Sequence, residues 1–254
     1  MLHRTDVGKI QYPSGLTASN RRHCRRMITA VANEIEVMNK VVVACSGGID
    51  STVLAHALGQ AIRIRPNTSS GKKIEATAVY VNHGLRPTEV VAEAAHVKQL
   101  CKHLTFEGPQ LLAKVEKGSK LQERAREARY SILEKFCSTL HEEDPSGFVL
   151  LMLGHNANDN AETILFTFLK GKAQPIPRFR RLVMPPRGLF LTRPLLSFTR
   201  EDIKRYADSF GLSWHTDSSN GEDGYTRNKI RHHLIPWIEQ NVNPNVVKTL
   251  AGEK

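Results

Sequence analysis

The sequence feature that most constrains the fold is a small polar turn between an apolar run and a helical segment. Residues 41–45 are mostly β-branched and predict a buried strand, and residues 52–58 predict a helix. A strand, a glycine turn and a helix N-terminus together gather backbone N–H groups, and the helix dipole favours negative charge there. The sequence therefore predicts a phosphate-binding loop, with an ordinary Ser/Gly turn as the alternative. The turn consists of Ser46, Gly47, Gly48, Ile49, Asp50 and Ser51.

This loop differs from two common phosphate-binding patterns. It is neither the lysine-bearing G-x-x-x-x-G-K-[ST] loop nor the dinucleotide pattern G-x-G-x-x-G. Ser46 and Ser51 offer hydroxyl donors, and Asp50 lies where it could hold Mg²⁺ against phosphate oxygens. The order Ser-Gly-Gly-x-Asp-Ser resembles the pyrophosphate loop of the ATP pyrophosphatases. That resemblance implies cleavage of ATP between its α- and β-phosphates, with adenylation of a substrate carbonyl oxygen.

Apolar runs and helical segments alternate along the chain. This alternation predicts an α/β fold, in which a parallel sheet carries helices on both faces. Four prolines favour a loop over residues 171–190. Strands are predicted at residues 41–45, 74–81, 111–115 and 148–153, and helices at 22–38, 51–62, 88–104, 120–140, 158–169, 199–210 and from 226.

Three polar turns should meet at one edge of this sheet, because ligands gather at the carboxyl ends of parallel strands. They are the loop at residues 46–51, the turn that contains Asn82 and His83, and the turn that contains Gly154 and His155. Each follows a predicted strand. The sequence therefore predicts one crevice lined by residues from three parts of the chain.

The segment after Gly154 concentrates groups that can do chemistry. Asp159 and Glu162 are three residues apart on a predicted helix and can share one face. Asp159 could share Mg²⁺ with Asp50, and His155 could neutralise developing charge or transfer a proton. The alternative is an ordinary capped helix, with Asn156 or Asn158 as the capping residue.

The 254-residue chain is strongly basic, with a formal net charge of +11 and a pI near 9.7. Residues 163–200 contain eight lysines and arginines and no acid. Two further clusters are formed by Arg21, Arg22, Arg25 and Arg26, and by Arg227, Lys229, Arg231, His232 and His233. Solvated faces are the alternative for any one cluster, but three clusters beside a phosphate loop favour a polyanionic partner such as nucleic acid.

Several classes of protein are disfavoured by the composition. The four cysteines lie far apart with no C-x-x-C pair, which argues against a zinc ribbon, a cysteine-ligated cluster or a secreted disulfide framework. No apolar run approaches the roughly 18 residues of a membrane span. Residues 1–20 lack a secretory signal and are expected to form an N-terminal extension. A cytoplasmic location without membrane contact is expected.

Further blocks make the chain resemble the tRNA(Ile)-lysidine synthetase family. They occur in order at residues 82–87, 125–130, 193–201, 217–220 and 225–232. The resemblance implies a PP-loop ATPase domain, similar to the adenine nucleotide alpha hydrolases. It also implies that ATP adenylates the 2-carbonyl oxygen of the wobble cytidine in an isoleucine tRNA. The ε-amine of free L-lysine then displaces AMP, so that the anticodon loop of the tRNA and lysine are the expected partners.

The resemblance also implies roles for individual residues. The catalytic residues would be Asp50, His155 and Asp159, and Mg²⁺ would be held by Asp50 and Asp159. ATP would be bound by the loop Ser46 to Ser51 together with His83 and Gly154. Contacts to tRNA or to phosphate are expected from Arg86, Arg126, Arg129, Arg193, Arg227, Asn228 and Arg231.

This chain departs from the family pattern at several points. Asn82 and Asn158 stand where the family has aspartates, and the start His155-Asn156-Ala157 is closer to tRNA 2-thiolation enzymes. The expected division is an extension at 1–20, the PP-loop domain at 21–215, and a C-terminal loop and helix at 216–254, without the family's C-terminal tRNA-binding domains. Two alternatives stay open: a tRNA thiolation enzyme, and a degenerate, non-catalytic tRNA-binding protein. The oligomeric state is open too, with a homodimer as one option.

Overall fold

A computed structural model describes residues 8–82, 87–112, 121–181, 188–215 and 226–252. The strands within these ranges are β1 (Lys40–Ala44), β2 (Glu75–Asn82), β3 (Gln110–Leu112), β4 (Val149–Met152), β5 (Phe179–Arg181) and β6 (Leu189–Thr192). They form one sheet with the order β3-β2-β1-β4-β6-β5. All neighbouring strands pair in parallel except β5, which is antiparallel to β6.

Helices connect the strands and continue beyond the sheet. They are α1 (Ala18–Glu34), α2 (Ile49–Ile64), α3 (Pro87–Leu104), α4 (Leu121–Glu143), α5 (Ala157–Phe168), α6 (Arg200–Phe210), α7 (Thr226–Lys229), a π-helical turn (Ile230–Leu234), α8 (Ile235–Asn241) and α9 (Val246–Leu250).

The sheet buries both of its faces, as its run of β-branched residues predicts. Val41 and Val43 face a core shared with α1, α2, α3 and α6, where Leu54 is fully buried. Val42 faces the opposite side and packs in a second core with Leu133 of α4. Each such side chain contributes about 1.5–3 kcal/mol when it is removed from water. The predicted α/β fold with helices on both faces is confirmed.

The predicted loop at residues 171–190 was wrong, because it contains β5 and the start of β6. β5 is only three residues long, and it lies between Pro177 and Pro185. A strand this short shows too little alternation for a periodic signal, and prolines nearby favour a loop. The antiparallel β5 also makes the sheet mixed at one edge instead of wholly parallel.

Helix and strand ends differ modestly from the predicted ones. α1 begins at Ala18, inside the predicted extension, because Thr17 accepts a hydrogen bond from the backbone N–H of Asn20 and caps the helix. β3 ends at Leu112, and the rest of its predicted span lies outside the described residues.

The order of the strands reverses between β1 and β4. From β1 the chain proceeds outward through β2 and β3, and it then returns to place β4 on the other side of β1. Val43 of β1 is directly opposite Met152 of β4, so the turns that follow the two strands begin at the same level. Such a switch point opens a crevice at the carboxyl ends of the strands. The turns at residues 46–51 and 154–156 flank this crevice.

The single C-terminal helix that was predicted is divided into four short helical segments. They pack on α5 around a small core that includes Ala161, Ile230 and Val246. The π-helical turn precedes Pro236, which has no N–H to donate, and the N–H of Ile235 bonds the carbonyl of Ile230. Among the helices of the described ranges, none has the length and hydropathy that crossing a bilayer requires.

We expect the protein to lose stability below about pH 6.5, in part through His56. This side chain is 4% exposed, and its Nδ1 lies 3.0 Å from the hydroxyl of Tyr206. Burial lowers the pKa of His56 from 6.5 to about 4, with smaller contributions from the charges of His103 and Arg63. The unfolded chain therefore binds a proton at a higher pH than the folded protein does.

The contribution of His56 is fully present above pH 6.5 and is lost as the pH falls through about 4. Its size is about 2–3 kcal/mol. Urea unfolding between pH 7 and pH 4 measures it. The variant His56→Asn should be less stable at pH 7 and show a flatter pH dependence, whereas His103→Gln, which removes only a smaller contribution to the His56 pKa, should stay close to the wild-type slope. An unchanged slope in His56→Asn would show that other groups cause the pH dependence.

Candidate active site

The 46–51 loop holds its shape through hydrogen bonds of its own. Gly47 has φ +82, in the left-handed region that glycine adopts without strain. The Ser51 hydroxyl donates to the carbonyl of Gly48 at 3.0 Å and accepts from the backbone N–H of Ser46 at 3.1 Å. Ser51 is buried and Ser46 is exposed, so that Ser51 braces the loop while the hydroxyl of Ser46 lies at its surface. Ile49 and Asp50 form the first turn of α2.

Asn156 connects this loop to α5. Its side-chain oxygen accepts from the N–H of Asp159, and the Asp159 carboxylate accepts from the N–H of Asn156, which makes a reciprocal capping box. The amide nitrogen of Asn156 donates to Oδ1 of Asp50 at 2.9 Å. The capped helix, given above as the alternative to a functional site, is therefore present. The same residue also positions Asp50 beside Asp159.

The negative charge of Asp50 destabilises that of Asp159. Burial raises the pKa of Asp159 from 3.8 to about 6, and the nearby charge of Asp50 adds to that effect. Burial also raises the pKa of Asp50, against the lowering effect of the hydrogen bond from Asn156. A divalent cation bound by both carboxylates would relieve this repulsion, and oxygen ligands suit Mg²⁺. Within the described residues, no group of three or more His, Cys, Asp or Glu could hold a metal, so phosphate oxygens and water would complete the shell.

Glu162 is the most buried acid of the site and pairs with two arginines. Arg231 donates to its carboxylate in bidentate fashion, Nε to Oε1 at 2.7 Å and Nη2 to Oε2 at 2.9 Å. Arg200 Nη2 donates to Oε1 at 3.0 Å. Both guanidinium groups also lie 3.6 Å from Asp159 Oδ1. These contacts connect the C-terminal segment and α6 to α5 at the site.

His155 is held by Arg193 in a defined tautomer. Arg193 Nε donates to His155 Nδ1 at 3.1 Å, and its other nitrogens donate to the carbonyl of Pro177 and the hydroxyl of Tyr130. Because an arginine N–H only donates, Nδ1 is unprotonated and the hydrogen lies on Nε2. Burial and the charge of Arg193 lower the pKa of His155 to about 3. At neutral pH, His155 is a neutral hydrogen-bond donor.

The structure brings four predicted arginines together around His155, at distances short enough to lower its pKa. Arg193 is only 5% exposed, so its N–H groups donate hydrogen bonds to other atoms of the protein interior. Burial lowers the pKa of Arg129, and Arg227 is exposed beside Thr163 and Phe166. The remaining member is Arg126, whose guanidinium lies over the ring of Tyr130.

The structure gives less information about three other predicted residues. Asn228 lies in α7, next to Arg227 in the chain and one turn before Arg231. His83 and Arg86 lie outside the described residues, so their predicted contacts to ATP and to tRNA stay predictions.

The asparagine at position 158 bonds the start of α6. Its Oδ1 accepts a hydrogen bond at 3.0 Å from the backbone N–H of Arg200, at the start of α6. A carboxylate oxygen could accept the same bond, so Asn158 keeps the orientation of Arg200. Asn82 is the last residue of β2, where it pairs in register with Leu112.

Sequence reasoning missed a group of residues behind Gly47. The backbone N–H of His215 donates to the carbonyl of Gly47 at 2.9 Å. A side chain at Gly47 would meet Glu93 and His96 of α3 at 3.7–3.8 Å. Glu93 in turn accepts from the Tyr80 hydroxyl at 2.6 Å. No motif marks these residues, because they come from three separate segments that meet only in the fold.

We expect Gly154→Ala to weaken ATP binding. A methyl group at Gly154 would lie 3.2 Å from the carbonyl carbon of Asp50 and from the backbone nitrogen of Ser51. The loop backbone would have to shift, and overpacking of this kind destabilises a protein by about 1–3 kcal/mol. Calorimetric titration with ATP should show an affinity reduced roughly tenfold, since about 1.4 kcal/mol corresponds to that factor. Unchanged ATP affinity in a folded variant would show that Gly154 is not needed for the shape of the nucleotide site.

The parallel sheet, the glycine loop at the switch point and the paired carboxylates define a class of nucleotide-binding protein. Residues 20–238, most of the chain, match the family described as the PP-loop domain. The chain therefore belongs to the PP-loop domain family. This membership supports ATP as the ligand of the 46–51 loop.

Within curated proteins, the chain is similar to tRNA(Ile)-lysidine synthases. It is 34% identical over 219 residues to the protein of Clostridium perfringens, which covers 84% of this chain and 43% of the relative. It is 34% identical over 220 residues to the protein of Bacillus subtilis, which covers 82% of this chain and 42% of the relative. The chain thus spans less than half the length of these relatives.

Within solved structures, the chain is similar to the U34-tRNA thiolase NcsA from Methanococcus maripaludis with its [4Fe-4S] cluster. The TM-score is 0.67 at 18% sequence identity, and the match covers 91% of this chain and 77% of the thiolase. At this identity the similarity shows the fold alone. The four cysteines of this chain are all buried and unpaired.

Proposed function

We propose that the chain joins L-lysine to the wobble cytidine of an isoleucine tRNA, with ATP converted to AMP and pyrophosphate. The observation that carries this proposal is the meeting of the phosphate loop with Asp159 and His155 at one switch point. The relatives named tRNA(Ile)-lysidine synthase support the choice of substrates. The tRNA contacts proposed for Arg126, Arg129 and Arg227 fit their clustering beside His155.

In the first step, the 2-carbonyl oxygen of the cytidine attacks the α-phosphorus of ATP, and pyrophosphate leaves. The N–H groups of the 46–51 loop and the hydroxyl of Ser46 hold the leaving phosphates. Asp50 and Asp159 would hold Mg²⁺, which supplies charge neutralisation for the phosphate oxygens when it is bound. Because Arg193 occupies Nδ1 of His155, the Nε2–H group is the one that His155 can use to donate a hydrogen bond to the substrates.

In the second step, the ε-amine of lysine attacks C2 of the adenylated cytidine. The new C–N bond forms as the C–O bond to AMP breaks, and the amine loses a proton. This proton passes to solvent water, because Asp50 and Asp159 are the groups that would hold Mg²⁺. Adenylation converts a poor oxygen leaving group into a good one.

Radiolabelled lysine tests the proposal directly. The protein is incubated with isoleucine tRNA, ATP, Mg²⁺ and labelled lysine, and label in precipitated tRNA is counted. We expect label that depends on ATP and that is absent from a tRNA whose wobble cytidine is replaced by uridine. Lack of label beside an active control enzyme would reject lysidine formation. Release of AMP and pyrophosphate without label would indicate a different nucleophile on the same adenylate.

The cellular location, the oligomeric state and the role of the C-terminal segment are part of the same proposal. A tRNA substrate accords with a cytoplasmic location, and a homodimer is an option that size-exclusion chromatography with light scattering would test. The described part of the C-terminal segment, residues 226–252, is proposed to contribute to the site, because Arg231 pairs with Glu162.

A further inference from the structure

The exposed face of α1 carries four arginines and no acid. Arg21, Arg22, Arg25 and Arg26 are all exposed, while the opposite face of the helix is buried through residues such as Met27. The first acid of the helix is its last residue, Glu34. This face, defined as the α1 arginine face by these four residues, lies outside the nucleotide site described above.

Local energetics do not account for the α1 arginine face. Arg21 and Arg25 are four residues apart, as are Arg22 and Arg26, and like charges at this spacing repel on a helix. Arg21 also lies in the first turn of α1, where the helix dipole disfavours cations. Within the described residues, Arg22 and Arg25 form no ion pair. A negatively charged partner would relieve this repulsion.

The neighbouring helix α6 extends the positive surface and connects it to the site. Arg205 of α6 donates to Asn20 and Ser19 of α1 at 2.8 and 2.7 Å. Arg26 lies over the ring of Phe198, 4.8 Å from its centroid, and 3.7 Å from Asp202. Phe198 and Asp202 flank the start of α6, from which Arg200 reaches Glu162.

Acids are present on α6, but they are partly neutralised. Asp202 lies 3.7 Å from Arg26, and Asp208 pairs with Lys204 at 2.7 Å. Glu201 is exposed beside them. The surface formed by the two helices is therefore positive overall.

We propose that the α1 arginine face binds the phosphate backbone of the RNA substrate at a distance from the reacting nucleotide. This inference rests on the proposed function for its choice of RNA. A membrane surface fits less well, since the apolar side of α1 is buried in the core and no large exposed hydrophobic residue lies on α1 or α6 in the described chain. Arg21 and Arg26 lie over the rings of Tyr12 and Phe198, whereas Arg22 and Arg25 are exposed charges that suit contacts with phosphates.

The test compares two double variants with the wild type. Arg22→Gln/Arg25→Gln removes two charges of the face that have no ion-pair partner in the described residues. Lys98→Gln/Lys102→Gln removes two exposed charges of α3 at helical spacing and serves as the matched control. Binding of each protein to isoleucine tRNA is measured by fluorescence anisotropy from about 50 mM to about 200 mM salt. Lysine transfer at saturating tRNA is measured in parallel.

We expect the arginine variant to bind tRNA about tenfold more weakly and to show a log–log salt slope lower by about 2. The lysine variant should match the wild type. Transfer at saturating tRNA should stay near the wild-type rate in both, because the nucleotide site is untouched.

Equal binding by the arginine variant and the wild type would overturn this inference and leave lysidine formation standing. If the arginine variant binds tRNA more weakly than the wild type but the wild type transfers no lysine, the proposed function is rejected and this inference stands. If the wild type binds phosphatidylserine vesicles but not tRNA, the inference of RNA binding is overturned in favour of a membrane surface.

Discussion

Replacing Asp50 by asparagine should reduce AMP release at least about a hundredfold, while tRNA affinity stays close to that of the wild type. Asp50 is the one acid of the phosphate loop, and its carboxylate lies beside Asp159. Asparagine keeps the shape of the side chain and can still accept the hydrogen bond from Asn156, but it removes the negative charge that we propose binds Mg²⁺. The basic clusters are untouched, which is why tRNA binding should remain.

AMP release from labelled ATP and thermal melting together separate this role from a structural one. A residue that only stabilises the helix N-terminus contributes about 1 kcal/mol to stability and little to turnover. Asp208→Asn, at an exposed position of α6, is the control and should leave AMP release unchanged. A folded Asp50→Asn variant with near-normal AMP release would remove Asp50 from the mechanism.

Glu162→Gln should destabilise the protein by about 3 kcal/mol, which corresponds to a fall in melting temperature of roughly 6–12 °C. The side chain of Glu162 is 5% exposed and accepts three hydrogen bonds from Arg200 and Arg231. Glutamine removes the charge that compensates both guanidinium groups and turns one acceptor into a donor. AMP release should fall as well, because the two arginines also lie beside Asp159.

Glu142→Gln is the matched control, since it makes the same change at an exposed position of α4. Its melting temperature should stay within about 2 °C of the wild type. If Glu162→Gln melted at the wild-type temperature, the Glu162 pairs would be without net effect on stability.

The elements that the sequence predicted well carry local signals. The 46–51 loop combines a β-branched strand, two glycines and a helix start within about twenty residues, so its fold depends on neighbours in the chain. The long helices α2 and α4 have enough turns for a periodic pattern. β5 does not, and its prolines led to the prediction of a loop.

The site was harder to predict where its contacts join distant segments. Arg231 belongs to a basic cluster that suggests a surface contact, but its guanidinium pairs with Glu162, which is 69 residues away in the sequence. Arg193 lies in a long stretch without acids and is nevertheless 5% exposed. The role of His155 as a neutral donor depends on Arg193 as well. Charge patterns indicate that cations are present, but only the fold shows which of them turn inward.

We propose that the 46–51 loop holds pyrophosphate as it leaves ATP. The most direct test incubates the protein with isoleucine tRNA, lysine, Mg²⁺ and ATP labelled on the α- or γ-phosphate, and separates the products by thin-layer chromatography. We expect labelled AMP from α-labelled ATP and labelled pyrophosphate from γ-labelled ATP, both dependent on tRNA. ADP and inorganic phosphate as the primary products would contradict it.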